Sequence, residues 1–200
     1  MGLRFKTCLA ALFVIAVSGC AFTDSTVKID YKPSKGTPAV GVKETISVEK
    51  FADQRGMEPN VLAYKGVQVR TSGRYLCDRE VSAVVTDATK TLLAHLGYSV
   101  VDEGGDYQLL GDLLKYDSAV IMGFWSGQLE GTAQVSLKLR GKDKNNIVWS
   151  EMLTGRAKKT GLQIDSEEHR KDVAEGALDD LMQKISESQS LRKALEAKGP

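Results

Sequence analysis

Apolar residues along this chain follow two rhythms, one of period two and one of period 3.6. The alternation is unbroken from Gln128 to Arg140. There Leu129, Gly131, Ala133, Val135, Leu137 and Leu139 interleave with Gln128, Glu130, Thr132, Gln134, Ser136, Lys138 and Arg140. Successive strand residues point to opposite faces, so the pattern predicts a strand with one buried and one wet face. Gly141 to Asn146 predicts a turn, and Ile147 to Lys158 an antiparallel return. Tyr107 to Val120 reads as another long strand, Tyr98 to Val101 as a short one and Val67 to Arg70 as a further short one. The first strand is expected within Val40 to Phe51, with Val40, Val42, Ile46 and Val48 on one face.

The helical rhythm occurs twice. Val81, Val84, Val85, Ala88, Leu92 and Leu96 predict a helix over 78–96, stopped by Gly97. Ala174, Ala177, Leu178, Leu181 and Ile185 predict a second over 167–185, capped by Asp165 or Ser166. A short tail helix is expected from Leu191 to Ala197. The expected fold is α+β: a two-layer sandwich in which an antiparallel or mixed sheet of about four to five strands is packed by two amphipathic helices.

The first residues obey neither rhythm. Arg4 and Lys6 precede the apolar run from Cys8 to Val17, which ends at Ser18, Gly19 and Cys20. A charged start, a short apolar core and small residues at its end make a secretory signal. The run is far shorter than the roughly 20 residues that span a bilayer. Val17-Ser18-Gly19-Cys20 resembles the lipobox of bacterial lipoproteins, which implies cleavage between Gly19 and Cys20 and acylation of Cys20. Two or more acyl chains, at about 0.8 kcal/mol per buried CH₂, hold a soluble domain firmly on a membrane. Ala21, where an inner-membrane lipoprotein carries Asp, implies the outer membrane. The expected organisation is a signal peptide over 1–19, a lipidated flexible tether over 20–39 and one periplasmic domain over 40–200.

Charge and cysteines narrow the function classes. The chain has 27 basic and 26 acidic residues, and losing Arg4 and Lys6 leaves it close to neutral. No partnership with nucleic acid is expected from such a balance. Of three cysteines, Cys8 leaves with the signal and Cys20 carries lipid, so Cys77 stays free and is expected to be buried.

No catalytic constellation is evident, and neither an enzyme nor a metal or other cofactor is expected. His95 and His169 lack partners at metal-ligand spacing. Ser47-Val48-Glu49-Lys50 and Lys159-Thr160-Gly161 match two penicillin-binding signatures, but the third is missing and Ser47 lies in a strand pattern rather than at a helix start. Two stretches are candidates for partner binding. Asp53 and Arg55 follow the first strand, either as a partner-facing pair or, as we expect, a local loop clamp. Ile121, Phe124 and Trp125 lie where a polar hairpin tip would be usual. They are either strand residues tucked under a helix or exposed anchors for a partner or for lipid.

The lipobox, Phe51-Ala52-Asp53-Gln54-Arg55, the helix end Leu92 to Val100 and Asp106-Tyr107-Gln108-Leu109 together resemble the YajG-like family of bacterial lipoproteins. The apolar stretch 119–125 departs from that pattern. More distantly, the element order is similar to periplasmic domains of cell-wall-synthase activators and curli-secretion lipoproteins. The resemblance implies a binding role with no catalytic residues. Two functions are therefore expected in order: an accessory interaction module for an envelope protein partner, then a binder of a small-molecule or glycan ligand.

Overall fold

A computed structural model of the chain describes residues 23–33, 44–65, 73–122, 127–143, 145–161 and 165–196. The strands are β1 (Ser25–Val27), β2 (Thr45–Val48), β3 (Ala52–Asp53), β4 (Val61–Lys65), β5 (Gly73–Cys77), β6 (Ser99–Val101), β7 (Tyr107–Met122), β8 (Gly127–Arg140) and β9 (Ile147–Gly161). The helices are α1 (Val81–His95), α2 (Glu167–Glu187) and α3 (Gln189–Glu196).

Two sheets form. The larger runs β6-β2-β7-β8-β9, with β3 also paired to β7, and the smaller runs β1-β5-β4. β7, β8 and β9 are antiparallel, while β2 pairs in parallel with β6 and β7, and β1 with β5. The larger sheet is therefore mixed, and the strands outnumber the four or five expected. α1 lies on β2, β6 and β7, and α2 on β7, β8 and β9. The alternation in β8 has the predicted sense: its odd-numbered residues are buried under the helices and its even-numbered ones half exposed.

Helix boundaries follow local chemistry. The Ser166 hydroxyl accepts from the His169 amide at 3.2 Å, satisfying one orphan donor at the start of α2. α1 ends on Gly97, at φ +89°, where the Gly97 amide donates to Ala94 O and the Tyr98 amide to Leu93 O. That pair of bonds is a Schellman motif, and the left-handed residue in it favours glycine.

The expected tether needs correction. Residues 23–33 do not hang free: β1 pairs with β5, and Val27 and Ile29 are buried in the main core. Lys32, Pro33 and the neighbouring polar residues suggested a linker, but two apolar side chains at i and i+2 suffice to seat a short strand. The expected strands at Val40 and Val67–Arg70 fall wholly or partly outside the described residues.

Close approach of α2 to the sheet rests on glycine. A Cβ at Gly131 would lie 2.2 Å from Val173 O, and one at Gly155 2.1 Å from Ala177 O. Both glycines face the helix, and their missing side chains let its backbone come down onto β8 and β9.

Candidate functional site

A strand edge left unpaired would hydrogen-bond to whatever strand it met, and this fold closes two such edges with charged side chains. β7 outruns its parallel partners: β2 and β3 pair with it only as far as Leu113. Beyond that point two arginines take over. Arg55 Nη1 donates to Tyr116 O at 3.4 Å and to Val61 O at 2.7 Å. Arg170 Nη1 donates to Ser118 O at 2.7 Å and to its hydroxyl at 2.9 Å. Gln54 N supplies the bond just before them, to Leu113 O.

Arg55 is the hub of its loop. Its side chain is 1 % exposed and forms a two-pronged pair with Asp53, Nε to Oδ1 at 2.9 Å and Nη2 to Oδ2 at 2.7 Å. Nη2 also donates to Glu58 O and Pro59 O. Burial disfavours the Asp53 carboxylate, but hydrogen bonds from the Arg55 side chain and backbone, with its positive charge, outweigh that and hold the carboxyl below its usual range. These residues have the geometry of a clamp that joins the β3–β4 loop to β7, and the guanidinium has no open face toward a partner.

Arg170, on the first turn of α2, pairs through Nε with Asp165 Oδ1 at 2.7 Å and lies 4.8 Å from the centre of the Tyr75 ring. Sequence reasoning missed it. An arginine facing inward among Val173, Ala174 and Ala177 on the helical wheel was the available signal.

The outer edge of β9 is closed in its middle. Asp180 Oδ2 accepts from Arg156 N at 2.8 Å, and Lys184 Nζ donates to Thr154 O at 2.6 Å while pairing with Asp180 at 2.8 Å. We expect the double variant Asp180→Ala, Lys184→Ala to self-associate more strongly than the parent, seen as a concentration-dependent rise in sedimentation coefficient. An unchanged coefficient at all concentrations would show that these caps do not guard the edge.

The wet sheet face is a ladder of cross-strand pairs: Lys138 with Asp112 at 3.2 Å, Lys158 with Glu130 at 3.0 Å and Arg140 with Gln108 at 3.0 Å. Large exposed apolar side chains interrupt it at its two ends. Ile121, 48 % exposed, is at the β7–β8 end, and Ile147, Val148 and Met152 (59 % exposed) are toward the β8–β9 turn. Phe124 and Trp125, proposed with Ile121 from the sequence, lie outside the described residues, as do Gly19 and Cys20.

Between α1 and α3 a dent lined by Leu93, Leu96, Tyr98, Ile185, Leu191 and Arg192 has a volume of about 10 Å³, room for no more than one water. Cys77 is buried and free, and desolvation pushes its thiol up. His95 closes α1 and His169 opens α2. Among the described residues no three His, Cys, Asp or Glu side chains converge on a point that would hold a metal ion, and no helix is long and apolar enough to cross a membrane.

No family model matches the chain, and a search of curated proteins finds no relative. Solved structures do resemble it. A Xanthomonas campestris protein of the DUF330 family aligns over 88 % of this chain and 100 % of its own, with a TM-score of 0.64 and 14 % identity. A hypothetical protein of Chlamydia trachomatis aligns over 78 % of this chain and 99 % of its own, with a TM-score of 0.49 and 8 % identity. A minor lipoprotein of Acinetobacter baumannii aligns over 75 % and 94 %, with a TM-score of 0.45 and 14 % identity. At these identities the first likeness shows a shared fold alone, and the other two carry no argument.

Proposed function

We propose that this chain is a non-enzymatic lipoprotein, acylated at Cys20 and held at the periplasmic face of the outer membrane, that works as an accessory module by binding an envelope protein. The YajG-like resemblance read from its sequence belongs to the same proposal. The observation that carries the binding role is the trio Ile147, Val148 and Met152, exposed on an edge strand beyond the Asp180–Lys184 cap. Exposed apolar side chains clustered on an edge strand are the chemistry by which a protein partner docks. The alternative is a small-molecule or glycan binder; the dent between α1 and α3, at about 10 Å³, is too small to be its site, since ligand pockets run to roughly 300–1,000 Å³.

A photo-crosslinking residue at Met152, placed in cells, is expected to trap one protein adduct that a probe at Lys158 does not. Equal trapping at both positions, or none at Met152, would remove the trio as the docking surface.

The anchor has its own test. Cys20→Ser keeps the side-chain volume but removes the thiolate that is alkylated, so incorporation of a clickable fatty acid is expected to fall to background. Labelling of the Ser variant at the parent level would end the lipoprotein reading.

A further inference from the structure

The length of chain between Cys20 and the fold decides how the domain meets the membrane. Thr23 is already held: Lys65 Nζ donates to its carbonyl at 2.6 Å, and the neighbouring Asp24 accepts from Arg74 N at 2.8 Å. Gly73 packs against the same carbonyl. Three residues extend at most ~11 Å, at about 3.6 Å each. A lipid on Cys20 therefore keeps Thr23 at the bilayer surface, whatever path the intervening residues take.

A chain of contacts identifies which end of the domain Thr23 belongs to. Ser25 pairs with Tyr75 in the small sheet. The Tyr75 ring lies against Arg170, and its hydroxyl donates to Asp165 at the start of α2. Arg170 in turn donates to Ser118 O on β7, three residues before Ile121. Farther along the first segment, Asp30 N donates to Glu175 Oε1 on α2, so going back from Asp30 to Ser25 runs toward the start of α2, which packs on Gly131 and Ser118 near the β7–β8 end. That end and the β8–β9 turn are separated by the length of β8, whose 14 residues span roughly 45 Å.

We propose that the β7–β8 end of the domain, with Thr23, the start of α2 and exposed Ile121, rests on the lipid surface, and that the β8–β9 turn points away from it. The proposal rests on acylation of Cys20. It gives Ile121 an apolar environment at the acyl boundary, and it leaves Ile147, Val148 and Met152 facing outward for a partner.

The test uses the full lipidated protein in vesicles of phosphatidylethanolamine and phosphatidylglycerol, some carrying a nitroxide on the headgroup. A fluorophore is attached through Ile121→Cys in one sample and Asn145→Cys, in the distal turn, in another. Nitroxide lipid is expected to reduce emission at least about two-fold from position 121 and to leave position 145 unchanged. No quenching at 121, or equal quenching at both, overturns the orientation. The mass of the same purified protein reports acylation separately. An acylated protein without quenching at 121 refutes the orientation alone, whereas a non-acylated protein refutes the anchor and the orientation with it.

Discussion

Gly155→Ala is expected to be among the most damaging substitutions in the domain, although it adds one methyl group. The new Cβ would lie 2.1 Å from Ala177 O, 2.4 Å from Leu181 N and 2.7 Å from Leu181 Cβ. Two of these three atoms are helix backbone, which cannot turn aside as a flexible side chain would. Relief requires lifting α2 from β9, and the face that lifts carries Ala177, Leu178 and Leu181, all fully buried. Overpacking a core usually costs about 1–3 kcal/mol. With backbone on the other side of the clash, the loss is expected at or above the top of that range. For a domain of this size, each kcal/mol lowers Tm by roughly 2–4 °C. Thermal denaturation of Gly155→Ala beside Ser150→Ala, an exposed position on the same strand, checks it. Equal melting temperatures would mean that α2 does not sit as close as described.

Arg55→Ala is expected to cost more, about 3–5 kcal/mol, the usual consequence of removing one partner from a buried ion pair. Four backbone carbonyls, those of Glu58, Pro59, Val61 and Tyr116, lose their side-chain donor, and Asp53 loses its counter-charge. The edge of β7 would be bare at Tyr116. Chemical denaturation read by tyrosine and tryptophan emission measures the loss, and a change under about 0.5 kcal/mol, the ordinary scatter of surface substitutions, would contradict the clamp.

The same pair predicts a pH dependence. The Asp53 carboxyl is held below its ordinary value in the folded chain, so its contribution is present above the unfolded carboxyl's pKa and is lost as pH falls through the lowered folded value. Stability measured from neutral pH down to the strongly acid range is therefore expected to drop less in Asp53→Asn than in the parent. A parallel drop in both would place the acid sensitivity elsewhere.

What was legible in the sequence was whatever a periodic pattern encodes by itself. β8, α1 and α2 each bury a continuous stripe, and a long stripe admits one secondary structure and one inward face, whereas β9 buries only Trp149 and Gly155 and was legible as the return strand after a turn. Ser166 and Gly97 were legible for a related reason, since a cap is a contact between residues a few positions apart. The Asp53–Arg55 clamp was half legible: two residues apart in a turn, the pair could be expected, but its reach to Val61 and Tyr116 could not.

The small sheet was not legible. β1, β4 and β5 are three to five residues long, too short to show a period, and β1 is held by pairing with Tyr75 to Cys77, some fifty residues away. Arg170 and the glycines at 131 and 155 were hidden likewise. Their meaning depends on which backbone lies opposite, and no spacing along the chain carries that. The orientation proposed for the membrane has both sources. The sequence by itself supplied the proposed attachment point, a cysteine at position 20 behind small residues. Only the tertiary structure decided which end of the domain lies beside it, because Thr23, Tyr75, Arg170 and Ser118 are brought together by packing, from parts of the chain that local preference leaves unrelated.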